Sequence, residues 1–172
     1  MKCSNSGLVA LNPPTGTKKS DELDARILCQ FAATHQQVLA GETADWRDLP
    51  EGRPAEIIVL DQFSRNMFRD TAAAFASDAL SLALAQEAVR SGDDQKVDDF
   101  KRPFIYMPYM HSETAKVHEQ AMELFADSDN LAYEVEHKTI IDRFGRYPHR
   151  NDILGRPSTT EEVDWMLSNK GF

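Results

Sequence analysis

Apolar residues along this chain recur at three- and four-residue intervals, the period of an amphipathic helix, and no clean apolar–polar alternation bounded by turn residues marks a strand. Ala, Leu, Glu, Gln and Arg, all good helix formers, fill the intervals. The pattern predicts an all-α fold. Ser20 caps a first helix whose apolar side is Leu23, Ile27, Phe31 and Val38, and Gly41 ends it. Trp46 and Leu49 read as core plugs in the connection that follows. Pro54 opens a second helix, Ala55 to Phe68, whose Ile57-Ile58-Val59-Leu60 run is apolar on every face. Its later part divides into an apolar side (Val59, Leu60, Phe63, Ser64, Met67) and a polar one (Asp61, Gln62, Arg65, Asn66, Arg69).

Asp70 or Thr71 caps a third, alanine-rich helix reaching Arg90, which the second helix approaches closely as an antiparallel hairpin. Residues 91–111, with Pro103 and Pro108 among large apolar groups, predict an extended connection laid over the core. Ser112 caps a fourth helix to Phe125, and Leu131 to Phe144 form a fifth that Gly145 closes. Pro148 opens a short helix, and Ser158 with Glu161 or Thr159 with Glu162 fits a capping box for the last. His35 and His118 read as helix-surface residues. Residues 1–19, with Pro13-Pro14 and Gly16, form an arm expected to be poorly ordered, leaving 20–172 as a single helical domain.

Two stretches echo each other. Asp61, Phe63, Arg65 and Arg69 match Asp142, Phe144, Arg146 and Arg150 at a constant offset of 81 residues. That is about twice the 34–47 residues of a helical-hairpin repeat. The expected architecture is a short α-solenoid of antiparallel helix hairpins, tetratricopeptide-like, with the two polar clusters facing the same way.

Charge narrows the function. The chain carries −9 overall, yet residues 137–172 hold six Lys/Arg against five Asp/Glu, leaving −10 on the rest. An acidic body with one basic segment argues against nucleic acid, which wants a basic face. No run approaches the apolar length of a membrane span, so no membrane partner is expected. Cys3 and Cys29 lack metal or redox spacing and read as free thiols in a reducing, cytoplasmic compartment.

The chemistry concentrates in Arg143-Phe144-Gly145-Arg146-Tyr147-Pro148-His149-Arg150-Asn151. His149 and Arg150 would stand in the first turn of a helix, where the dipole disfavours cations, unless an anion or an acidic side chain sits there. The plainer account is arginines pairing with acids such as Asp142, Asp152 and Glu113. Asp61 and Arg65, spaced to pair on one helix, form a second polar cluster with Gln62 and Asn66. His111-Ser112-Glu113 is a third. Ser112 lacks a nucleophile elbow and reads as a cap. His111, Glu113, His118, His137 and His149 are metal-ligand types without the spacing of a metal motif, so neither metal nor cofactor is expected.

At these residues the chain resembles the bacterial family of domain of unknown function 924. The resemblance rests on Asp61-Gln62-Phe63 with Arg65-Asn66, His111-Ser112-Glu113 with Gln120, His137, Phe144-Gly145-Arg146 with Pro148-His149-Arg150-Asn151, Leu154-Gly155-Arg156, Ser158-Thr159 and Glu162, and it covers residues 21–168. It implies an all-helical, tetratricopeptide-like fold and no established activity. The chain departs from the family twice. Residues 1–19 lack the usual Phe-Trp pair, and Ser64 replaces the proline after Asp-Gln-Phe, which predicts a straighter helix.

The leading expectation is a helical-repeat protein whose concave face, lined by Asp61, Gln62, Arg65, Asn66, His111, Glu113, His137, Arg146, His149, Arg150 and Asn151, binds an anionic small molecule or a peptide carboxylate. The alternatives are a hydrolase or transferase using the same face, with His111, Glu113 or His149 as acid or base, and a structural polar network that binds protein partners on its outer helix faces.

Overall fold

The computed structural model describes residues 20–169, and every regular element among them is helical. Helix α1 spans Asp21–Leu39, and its cap Ser20 accepts the Leu23 N–H at 3.3 Å. Ala44–Asp48 form a 3-10 turn that brings Trp46 onto the core shared by Ile27, Val38, Val59 and Leu60. Only glycine fits at the start of α2 (Gly52–Ile58), because a Cβ on Gly52 would fall 1.8 Å from the Trp46 carbonyl oxygen.

The second helix is not α-helical throughout. After α2 it passes through a π-helical stretch, Val59–Phe63, and resumes α-helical winding as α3 (Ser64–Met67). Side chains account for it. The Ser77 hydroxyl donates to the Leu60 carbonyl at 2.7 Å, and Ser64, 2.9 Å from Ser77, meets His35 Nε2 at 2.7 Å. A hydroxyl inserted at a helix carbonyl breaks the regular ladder there. His35 is therefore buried, not a surface residue.

The alanine-rich helix starts later than its sequence suggests. Ala72–Phe75 make a 3-10 turn, and α4 runs Asp78–Ser91. The expected extended connection is in fact helix α5, Arg102–Met110. Pro103 stands in its first turn, where a missing N–H is not missed. Ile105, Tyr106, Tyr109 and Met110 pack with Ile57, Ala85, Ala88 and Phe125, and that burial outweighs the break expected at Pro108. Helix α6 (Ala115–Leu124) begins after Thr114 rather than Ser112.

Helix α7 (Leu131–Phe144) ends at Gly145, whose left-handed φ of 68° suits glycine. A short 3-10 turn, Pro148–Arg150, follows, and α8 (Thr160–Ser168) starts on the Thr159–Glu162 capping box. In chain order, α4 packs on α5, α5 on α6 and α6 on α7. His118 is fully buried rather than on a surface: its Nδ1 meets Glu134 Oε1 at 2.6 Å and its Nε2 meets the Ser112 carbonyl at 2.8 Å. Cys29 is disulfide-bonded, not a free thiol; Cys3 and the expected arm 1–19 lie outside the described residues. None of the described helices is long and apolar enough to cross a membrane.

If Ser77 pins the π stretch, Ser77→Ala strands the buried Leu60 carbonyl and removes a partner of Ser64. Urea denaturation should show a loss of about 1–3 kcal/mol. An unchanged midpoint would mean that the hydroxyl is incidental.

Candidate functional site

The early and late polar clusters meet on a carboxylate that neither contains. Asp78, in the first turn of α4, accepts two hydrogen bonds from Arg65, Nη1 to Oδ1 at 2.9 Å and Nη2 to Oδ2 at 3.1 Å. The same Oδ2 receives Arg150 Nη1, 72 residues away, at 3.4 Å. Both guanidinium groups also lie over the Phe75 ring, 5.6 Å away for Arg65 and 4.7 Å for Arg150. Neither Phe75 nor Asp78 carries a signal in the sequence beyond its place near a helix start.

Arg150 is held unlike the other arginines. It is buried, 6% exposed, with its guanidinium 4.4 Å from the Tyr147 ring as well as against Phe75. Among the described residues its Nε is buried without a hydrogen-bond partner, and its one ion contact is the long one to Asp78. Burial, reinforced by the charge of Arg65, pushes its pKa below the ordinary arginine value.

Tyr147 organises the surrounding histidines. Its hydroxyl donates to the Met110 carbonyl at 2.5 Å and lies 3.2 Å from His118 Nε2. The His137 and His149 rings sit 5.7 and 5.6 Å from its own, and His111 stands 6.4 Å from His137. Burial lowers His137 to about 3 and His149 to about 4, with the Arg150 charge acting in the same direction on each. These imidazoles are neutral at physiological pH.

Asp61 lies on the π stretch and is 1% exposed. Its Oδ1 meets His111 Nδ1 at 2.8 Å and Arg65 Nη1 at 3.0 Å, and its Oδ2 accepts from Gln62 Nε2 at 2.5 Å. Burial would raise the Asp61 carboxyl. The Arg65 charge and the hydrogen bonds from His111 and Gln62 outweigh it and hold the group well below the usual carboxylate range. Burial likewise pushes His111 down, against the pull of Asp61.

Four expected members are engaged elsewhere. Glu113 accepts from Arg156 at 2.5 and 2.9 Å and from the Tyr147 N–H at 2.9 Å, so its oxygens hold the loop in place. Arg146 forks onto Glu162 at 2.7 and 2.9 Å. Asn66 and Arg69 both bind Asp24. Asn151, fully buried, joins Arg156 to Ser158. The 81-residue echo therefore does not give equivalent surroundings: Asp61 is buried against His111, whereas Asp142 is exposed and pairs with Lys138.

The cluster is only partly open to solvent. The side chains of His111, Arg65 and Asp78 are 16%, 20% and 23% exposed. Two surface hollows lie elsewhere, one of about 320 Å³ bounded by Asp24, Asn66 and Arg69, the other of about 410 Å³ bounded by Val135, Arg143 and Trp165. Among the described residues, no group of three or more His, Cys, Asp or Glu side chains is placed to hold a metal ion.

The lowered histidines set a pH dependence. Between the unfolded histidine value near 6.5 and the folded values of about 4 and about 3, the unfolded chain binds protons that the folded one does not. Stability is therefore full above about pH 6.5 and falls as pH drops through that window, by at most about 1.4 kcal/mol per pH unit for each such group. Solvent reaching these half-buried rings trims the effect. Urea midpoints should decline from pH 7 to 5, and His149→Gln should make the decline shallower. A flat wild-type profile would contradict the burial of these rings.

Comparison with known proteins agrees with this architecture. A solved structure of a protein of unknown function from Agrobacterium tumefaciens is 36% identical and superposes with a TM-score of 0.85 over 90% of this chain and 89% of that one. No curated protein matches. The model of a family described as bacterial protein of unknown function, DUF924, matches residues 12–170. With nearly its whole length matched, the chain belongs to the DUF924 family.

Proposed function

We propose that this protein binds the carboxylate of a small molecule or peptide at the aperture beside Arg150, His137 and His149. The observation that carries this reading is the under-paired guanidinium of Arg150, buried between Phe75 and Tyr147 with an unpartnered Nε. Proteins rarely bury a charge without a close partner, because desolvation costs several kcal/mol. With its guanidinium against two rings and its Nε without a partner among the described residues, Arg150 has hydrogen-bonding capacity left over, which a carboxylate can match with two parallel bonds.

Arg65 is already satisfied by Asp61 and Asp78, and Arg150 shares Asp78 through one long contact, so the hydrogen-bonding capacity left over is that of Arg150. The scaffold in this reading is a tetratricopeptide-like run of antiparallel hairpins, supported by the sequential packing of α4 to α7.

Thermal unfolding with acetate, adipate, sulfate and phosphate tests the proposal. A carboxylate at a hundredfold excess over its Kd adds about 2.7 kcal/mol, a rise in Tm of about 5–10 °C for a chain of this size. Arg150→Met keeps an apolar stem between the two rings and should abolish the rise while barely changing the ligand-free Tm. Two results would defeat the reading: a rise that survives in the variant, or a collapse of ligand-free stability, which would mark a structural network.

A further inference from the structure

We propose that Asp61 and His111 form a general acid–base dyad that hydrolyses an ester of a carboxylate-bearing substrate, an inference that rests on the carboxylate site described above. Every hydrogen-bonding capacity of the Asp61 carboxylate that the structure fills serves to orient something. Oδ2 takes Gln62, and Oδ1 takes Arg65 and His111 Nδ1. An ionised carboxylate opposite Nδ1 requires the proton there, which leaves the lone pair on Nε2. His111 Nε2 makes no hydrogen bond among the described residues, and the side chain is 16% exposed at the aperture.

His118 shows what a structural histidine looks like in the same molecule. It is fully buried, with Glu134 on one nitrogen and the Ser112 carbonyl on the other. His111 has one nitrogen fixed and one presented, the arrangement of a base held ready by its orienting acid. The π stretch places Asp61 there, and such stretches recur where helices carry function. Arg65 spends its guanidinium on Asp61 and Asp78, and its charge keeps the Asp61 carboxyl ionised opposite the base.

No Ser, Thr or Cys side chain among the described residues hydrogen-bonds His111, so the nucleophile is water. Nε2 takes one proton from water as the water oxygen bonds to the ester carbonyl carbon, and the carbonyl electron pair moves to its oxygen. When that pair returns, the bond from carbon to the alcohol oxygen breaks. The leaving oxygen takes its electron pair and the proton from His111. The products are an alcohol and a carboxylic acid, which ionises to solvent, and the histidine is neutral again.

para-Nitrophenyl hemiadipate, with a free carboxylate, and the neutral para-nitrophenyl acetate are the probes. Wild-type protein should hydrolyse the hemiadipate above the buffer rate. The profile of kcat/KM should fall on the acid side of an inflexion lying below the free histidine value. His111→Gln should lower kcat by about 100- to 10,000-fold while the adipate-dependent rise in Tm persists. Arg150→Met should raise KM for the hemiadipate and leave the acetate ester unaffected. Nitrogen-15 NMR should find the His111 proton on Nδ1, moving to Nε2 in Asp61→Asn. Should that variant not fold, the wild-type spectrum and His111→Gln decide alone.

Hydrolysis unchanged in His111→Gln, or absent in wild type while adipate still raises Tm, would overturn the catalytic inference and leave the binding site standing. No rise in Tm with adipate would remove both.

Discussion

A single carboxylate between one half-buried and one buried guanidinium group ties the two halves of this molecule together. Asp78 receives Arg65 from the π-helical segment and Arg150 from the loop after α7, and the Phe75 ring lies under both arginines. Two guanidinium groups face two acids, Asp61 and Asp78, but unequally: Arg65 pairs closely with both, and Arg150 meets Asp78 alone, at 3.4 Å.

The loop can present an unsatisfied arginine because its own backbone is fixed by other groups. Glu113 and Arg156 clamp Tyr147 from one side, and the Tyr147 hydroxyl is anchored to the Met110 carbonyl beside the buried His118–Glu134 pair. Buried networks of this kind rigidify when they are nearly complete. Arg146 spends its fork on Glu162, part of the capping box of α8. Of the three arginines in the basic stretch, one stabilises the next helix, one pairs with exposed Glu161, and Arg150 turns inward to Phe75, Tyr147 and Asp78. The stretch thus mostly holds the loop to its neighbours.

Much was legible in the sequence wherever a signal is local. Ser20, Gly145 and the Thr159–Glu162 box set helix ends because capping involves groups three or four residues apart. The Asp61–Arg65 pairing followed from helical spacing alone. Pro103 and Pro108 misled, since proline's local penalty says nothing about how much apolar surface Ile105, Tyr106 and Tyr109 bury once α5 is packed. His35 and His118 misled for a similar reason: a polar ring on a helix is satisfied inside only if partners arrive from other helices, here Ser64 and Glu134.

The amino-acid order by itself determined the helical class and most helix ends, because those depend on periodicity and short-range capping. Tertiary structure alone decided which charges neutralise each other. Glu113, Arg146, Asn66 and Asn151 were diverted to Arg156, Glu162, Asp24 and Ser158, while Asp78 came from the middle of the chain to stand between Arg65 and Arg150. Electrostatic partnership depends on distance and burial in space, and neither is written in the spacing of residues along a chain.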